Sequence, residues 1–166
     1  MKSLTIVVLS LLLSACAGLP EGIKTVSDFE LDRNLGKWYE IAKLDHRFER
    51  GLKQVRATCS MNEDGSVNIA NGGFSPKANE RSDAEGRVKF FGSSDIGHLE
   101  VSFFTPFYAN HIILELDKED YQYAFLTGNK NTLWLLSRAP HISDELKDQF
   151  LNTAQVLGYK TEGLIF

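Results

Sequence analysis

Few side chains in this sequence stand where their type and spacing would do chemistry. His46, His98, His111 and His141 form no His-x-His or His-Glu-x-x-His arrangement, so no metal site is expected. Ser137, His141 and Asp144 lie close together in the chain, yet no Gly-x-Ser-x-Gly turn surrounds the serine, and nothing marks it as a hydrolase nucleophile. Asp117, Glu119 and Asp120 read as a solvated turn, because paired catalytic carboxylates need placement across a cleft. Cys59 alternates with Val55, Ala57 and Met61 on an apolar face, where burial raises a thiol's pKa and makes it inert. Cys16 is different. Lys2 gives a positive start, positions 3–13 are mostly Leu, Val and Ile, and Leu13-Ser14-Ala15 sets small residues just before the thiol. The apolar run is too short to span a bilayer, which takes about 20 residues, and has the form of a secretory leader cut before Cys16.

Leu13-Ser14-Ala15-Cys16 resembles the lipobox of bacterial lipoproteins and matches it at all four positions. The resemblance implies that residues 1–15 are a signal peptide and that the Cys16 thiol carries a diacylglyceryl group. It also implies that the amine freed by cleavage is acylated, palmitate being the typical chain. Three acyl chains anchor a protein stably, since each buried methylene adds about 0.8 kcal/mol. Ala17 stands where such proteins carry Asp when they stay at the inner membrane, which implies the outer membrane of a Gram-negative envelope. Residues 16–30, with Gly18, Pro20 and Gly22, are expected to be the lipidated Cys and its tether. The 14 residues after Cys16 reach about 45–50 Å when extended. Residues 31–166 then form the folded domain.

The elements that must position any site are strands. The 166 residues are one domain's worth of chain. With 18 basic against 22 acidic residues, no cationic excess exists to neutralise phosphates, which excludes a nucleic-acid partner. Two cysteines exclude a disulfide scaffold. From about residue 36, short alternating runs separated by turn signals cover about 37–43, 55–61, 66–71, 84–91, 98–103, 108–116, 121–127 and 132–138. Residues 72–83 read as a longer polar loop. Short links make neighbouring strands antiparallel, and all four prolines fall between strands. The period then changes. Ser143 reads as an N-cap, and Leu146, Phe150, Ala154 and Leu157 lie on one helical stripe. A short last strand is placed at 161–166. Eight antiparallel strands in sequence can close into an up-and-down barrel, which removes exposed edges and leaves room for one small ligand. The fold expected is therefore all-β, an eight-stranded antiparallel barrel with one C-terminal α-helix packed outside. The faces assigned to the interior carry Val55, Ala57, Cys59, Val88, Phe90, Leu99, Val101, Phe103, Tyr121, Tyr123 and Phe125.

Leu35-Gly36-Lys37-Trp38-Tyr39, Leu116-Asp117 before Tyr121, and Leu135-Leu136-Ser137-Arg138 fall in order along these strands. They resemble the three signatures of the lipocalins, although the Thr before the second signature's Asp is Leu116 here. The stretches at 45–52, 101–104 and 106–108 resemble the bacterial members anchored as outer-membrane lipoproteins. The resemblance implies that Gly36, Trp38 and Arg138 are structural, with the guanidinium packed on the indole at the closed end, a contact of about 0.5–2 kcal/mol. Arg47, Phe48, Arg50, Phe104 and Phe107 then fall at the mouth. The expected function is to bind and store or transport an amphipathic lipid such as a fatty acid, lysophospholipid or phospholipid, with Arg47 and Arg50 pairing with its head group and no cofactor. The alternative is a barrel enzyme acting on a lipid or another small hydrophobic substrate, for which no nucleophile–base pair argues. The clustered aromatics at 103–108 point to a membrane surface or a homodimer contact.

Overall fold

The structure is a computed structural model that describes residues 18–47 and 49–166. Eight strands close into one antiparallel barrel: β1 (Gly36–Leu44), β2 (Lys53–Met61), β3 (Val67–Ser75), β4 (Glu80–Phe90), β5 (His98–Phe104), β6 (Phe107–Leu116), β7 (Tyr123–Asn129) and β8 (Thr132–Ser137). Each pairs with its sequence neighbours, and β1 completes the ring by pairing with both β2 and β8. A short helix, α1 (Leu31–Asn34), precedes β1, while α2 (Asp144–Val156) and the two-residue β9 (Leu164–Ile165) follow the barrel. β9 adds to the end of β1 through Lys43↔Ile165 and Leu44↔Leu164.

Two apolar clusters hold the fold. Inside the barrel, Trp38, Leu99, Ile113, Ala124 and Leu126 pack with Phe29, Val88, Phe90 and Trp134. Outside, Ala42, Ile112, Phe125, Leu133 and Leu135 pack against Phe150 and Ala154 of α2. The helix starts where the Ser143 hydroxyl accepts from the Leu146 amide at 3.2 Å, satisfying one of the unpaired first-turn donors. Its apolar stripe covers the outer wall of β6, β7 and β8, and the Phe125 and Phe150 rings meet edge to face at 5.0 Å.

Three expectations are corrected. The segment 72–83 is no loop: β3 and β4 continue to a tight turn at 76–79, paired from Gly72↔Asp83 to Ser75↔Glu80. The Asp83 side chain lies over Gly72, where an added Cβ would overlap its carboxylate. Solvent reaches much of this extension, so no apolar alternation marks it. Second, the tether does not run free to residue 30. Ile23 and Phe29 are buried, the Val26 amide donates to Ile113 O at 3.0 Å, and the Phe29 amide donates to Asp95 O at 2.8 Å. Before Ile23 the chain turns, the Ile23 amide donating to Pro20 O at 3.0 Å.

Third, the interior face of β7 is the other one. Cross-strand partners share a face, and Ile113↔Leu126↔Trp134 and Leu116↔Ala124↔Leu136 are the inward sets. Tyr123 and Phe125 point outward under α2. Tyr121 lies before the strand at the closed end, its hydroxyl accepting from the Glu30 amide at 3.0 Å. Because α2 buries the outer wall, residues 123–126 are apolar on both faces and alternation alone cannot choose between them.

Candidate functional site

At the closed end, Trp38 is 2% exposed and donates its indole N–H to Asn34 O at 2.9 Å. The Arg138 guanidinium lies 3.7 Å from the Trp38 ring centroid. Its three nitrogens donate to Tyr121 O, Lys37 O and Arg33 O at 3.2, 2.9 and 2.8 Å. One cation therefore ties α1, β1 and the β6–β7 turn together across the floor. Gly36 takes φ +91° beside it, a conformation that glycine adopts without the Cβ clash. These residues seal the barrel and leave no passage for a ligand.

Above the floor the inner wall is apolar. Ala57, Cys59, Val88, Phe90, Leu99 and Val101 face inward through the Trp38↔Ala57, Val88↔Val101 and Phe90↔Leu99 pairs, together with Ile69 and Val67. Val55 continues the Ala57 face and touches the space at Gly73. Phe103 lies at the rim, its ring packed over Gly86. A residual cavity of about 10 Å³ is lined by Cys59, Ile69, Val88, Leu99, Val101 and His111, room for about one water. His111 faces this cavity, and burial lowers its pKa to about 4, so its ring is neutral at pH 7. Burial pushes the Cys59 thiol up to about 11, which keeps it a thiol with little nucleophilicity.

The mouth holds what the sequence reading missed. A bulge at Ile41 shifts the register of β1, so Glu40 and Lys43 both face inward. The β1–β2 loop folds over the opening and inserts Glu49, which is 8% exposed. Glu49 Oε1 accepts from Asn71 Nδ2 at 2.8 Å. Glu49 Oε2 lies 3.0 Å from His46 Nε2 and 3.4 Å from Lys43 Nζ, and accepts from Trp134 Nε1 at 3.4 Å. Lys43 Nζ also meets Glu40 Oε1 at 2.8 Å. Burial, then the facing Glu49 charge, raises the Glu40 pKa to about 8. Burial would raise Glu49 too, but hydrogen bonds from His46, Glu40 and Asn71 and the Lys43 charge outweigh it and hold Glu49 below the usual carboxylate range. Lys43 thus faces two carboxyl groups of opposite tendency, Glu49 biased toward its ionised form and Glu40 toward its protonated form. Two charged residues on the barrel side of an otherwise apolar strand were the available signal, but the bulge that turns Lys43 inward leaves no mark in the sequence.

The expected head-group cations sit elsewhere. Arg50 pairs with Asp45 at 2.8 Å across the outside of the loop, and Arg47 lies in the same loop. Phe104 and Phe107 face each other across the tip of the β5–β6 hairpin and are 79% and 78% exposed. Cys16 and Phe48 lie outside the described residues.

A model of the lipocalin-like domain matches residues 29–166. The chain is 46% identical over 167 residues to a Vibrio cholerae protein named outer membrane lipoprotein Blc, covering all of this chain and 98% of that one. It is 43% identical over 148 residues to the Escherichia coli K12 protein of the same name, covering 89% of this chain and 83% of the relative. Among solved structures, insecticyanin from the tobacco hornworm superposes with a TM-score of 0.68 at 23% identity, over 89% of this chain and 85% of that one. That likeness concerns the fold, and it agrees with a closed eight-stranded barrel that carries one extra strand and a helix on its wall. On the strength of the domain match and the two bacterial relatives, the chain belongs to the lipocalin-like domain family.

Proposed function

We propose that this protein is an outer-membrane-anchored lipocalin that binds an amphipathic lipid, a fatty acid or lysophospholipid, and stores or transports it without chemical change. Lipocalins bind small hydrophobic ligands. The observation that carries the reading here is a continuous apolar inner wall with a sealed floor at one end and a loop-covered mouth at the other. Each methylene buried against that wall contributes about 0.8 kcal/mol, so affinity should rise with chain length. The buried cation at the mouth suits an anionic head group.

Val101 tests the wall. Val101→Glu puts a charge without a partner into the apolar interior, and binding of a fluorescent fatty-acid probe should fall at least about tenfold. Glu100 points outward and pairs with Lys89 at 3.1 Å, so Glu100→Gln should leave binding within about twofold. Equal losses in both variants would refute the assignment of the inner face. Lipid recovered after incubation should keep its mass; a changed mass would favour the enzyme reading.

Membrane attachment rests on Cys16 and the hairpin tip. Cys16→Ser should release the protein from the membrane fraction, because a hydroxyl does not replace the thiolate nucleophile. The exposed Phe104 and Phe107 pair at the hairpin tip suits the headgroup region, where aromatic rings are favoured. In the Cys16→Ser background, Phe104→Ser with Phe107→Ser should weaken binding to anionic liposomes. Unchanged liposome binding with a shift in sedimentation toward monomer would instead assign the patch to a homodimer contact.

A further inference from the structure

The polar cluster at the mouth is costly to build and has no role in closing the floor. Taking Lys43 and Glu49 out of water carries a desolvation penalty that an apolar plug would avoid. Its construction is also uneven. Lys43, Asn71 and Trp134 are fixed on three strands, β1, β3 and β8, whereas the carboxylate that satisfies them comes from a loop. Outside, that loop carries an exposed Arg50–Asp45 pair, worth little in stability; inside, the His46 ring meets Trp134 edge to face at 5.1 Å and Lys43 Nζ donates to Glu49 O at 3.5 Å; it turns at Gly51 with φ +80°. Donors converging from three strands are thus satisfied by a carboxylate from a loop.

We propose that Lys43, Asn71 and the Trp134 indole N–H form a seat for the carboxylate of a long-chain fatty acid, and that Glu49 occupies this seat until the ligand displaces it. The inference rests on the lipid-binding reading above and adds the head-group chemistry and the gate. Glu49 is itself a carboxylate, so its contacts display the recognition: one oxygen on Asn71 Nδ2 at 2.8 Å, the other facing Trp134 Nε1 and Lys43 Nζ at 3.4 Å each, with the His46 ring at 3.0 Å closing the side. Charge selects the ligand class. Exchange of Glu49 for a fatty-acid carboxylate leaves the charge facing Lys43 unchanged. An alcohol of the same length would leave Lys43 without a full counter-charge. Below the seat the apolar inner wall continues through Val101, Val88 and Leu99, which line the residual cavity.

The gate predicts a gain of binding on truncation. The full chain carrying Cys16→Ser is compared with the same chain carrying Glu49→Ala, by equilibrium dialysis against labelled oleate and oleyl alcohol at pH 7. Removing the internal competitor should raise oleate affinity at least about tenfold and oleyl alcohol affinity less than about twofold. Adding Glu40→Gln, which removes the remaining carboxyl beside Lys43, should widen the oleate preference. Adding Lys43→Met to Glu49→Ala should abolish it, and that pair of changes removes both opposite charges together, so the barrel is not left with an unpaired ion. If Glu49→Ala raises neither affinity, or raises both equally, the seat and gate are refuted while lipid binding stands. If no variant binds either chain, both the seat and the lipid-binding reading fall.

Discussion

Replacing Trp38 with alanine is expected to destabilise the barrel by about 3–5 kcal/mol, the usual cost of deleting a large aromatic ring from a packed core. Three losses act together. The ring is 2% exposed, so its burial disappears and a cavity opens at the floor. Asn34 O loses the indole donor, and Arg138 loses the aromatic face 3.7 Å beneath it. For a domain of this size the melting temperature should fall on the order of 10 °C. Arg138→Ala should cost less, because the ring stays buried, although its three carbonyl contacts are lost together. Differential scanning calorimetry of both variants checks the order. An unchanged melting curve for Trp38→Ala would remove the floor assignment.

Lys43→Met is expected to have a comparable effect with a pH signature that the floor lacks. It leaves buried carboxylates without their cation, a type of change that costs about 3–5 kcal/mol. In the native protein Glu40 keeps its proton up to about pH 8 against 4.5 for an ordinary glutamate. Unfolding therefore releases that proton between these values, and its contribution to stability declines as pH rises through this window. Glu49, held low, has the opposite sign: its contribution is lost as pH falls below the ordinary value. Lys43→Met should steepen the loss toward pH 8 and be milder near pH 5, where protonation neutralises the carboxylates. Glu40→Gln imitates the protonated acid. It should be near neutral at pH 5 and stabilising at pH 8 relative to the native chain. Urea unfolding of the three proteins at both pH values decides the matter. A pH-independent Lys43→Met penalty would mean that the carboxylates do not titrate against it.

The sequence by itself determined the number, order and antiparallel pairing of the strands, because each run is short, alternating and bounded by Gly, Asn, Asp or Pro turns. It determined α2, through Ser143 and the Leu146–Phe150–Ala154 stripe, and the family, through Gly36-x-Trp38 and Arg138. For β2, β4 and β5 it also placed the inner face, since solvent on the outer face leaves polar residues there. Tertiary structure alone decided the rest. α2 packs on one side of the barrel and makes β7 apolar on both faces, so Tyr123 and Phe125 look inward in the sequence yet lie against Phe150. The Ile41 bulge is a one-residue slip of register that reverses which side chains face the barrel, and it turns Lys43 into the interior. The loop after β1 reads as a polar connection, because nothing local marks Glu49 as buried. Only the closed barrel brings Lys43, Asn71 and Trp134, from strands far apart in sequence, to one point around the carboxylate of Glu49.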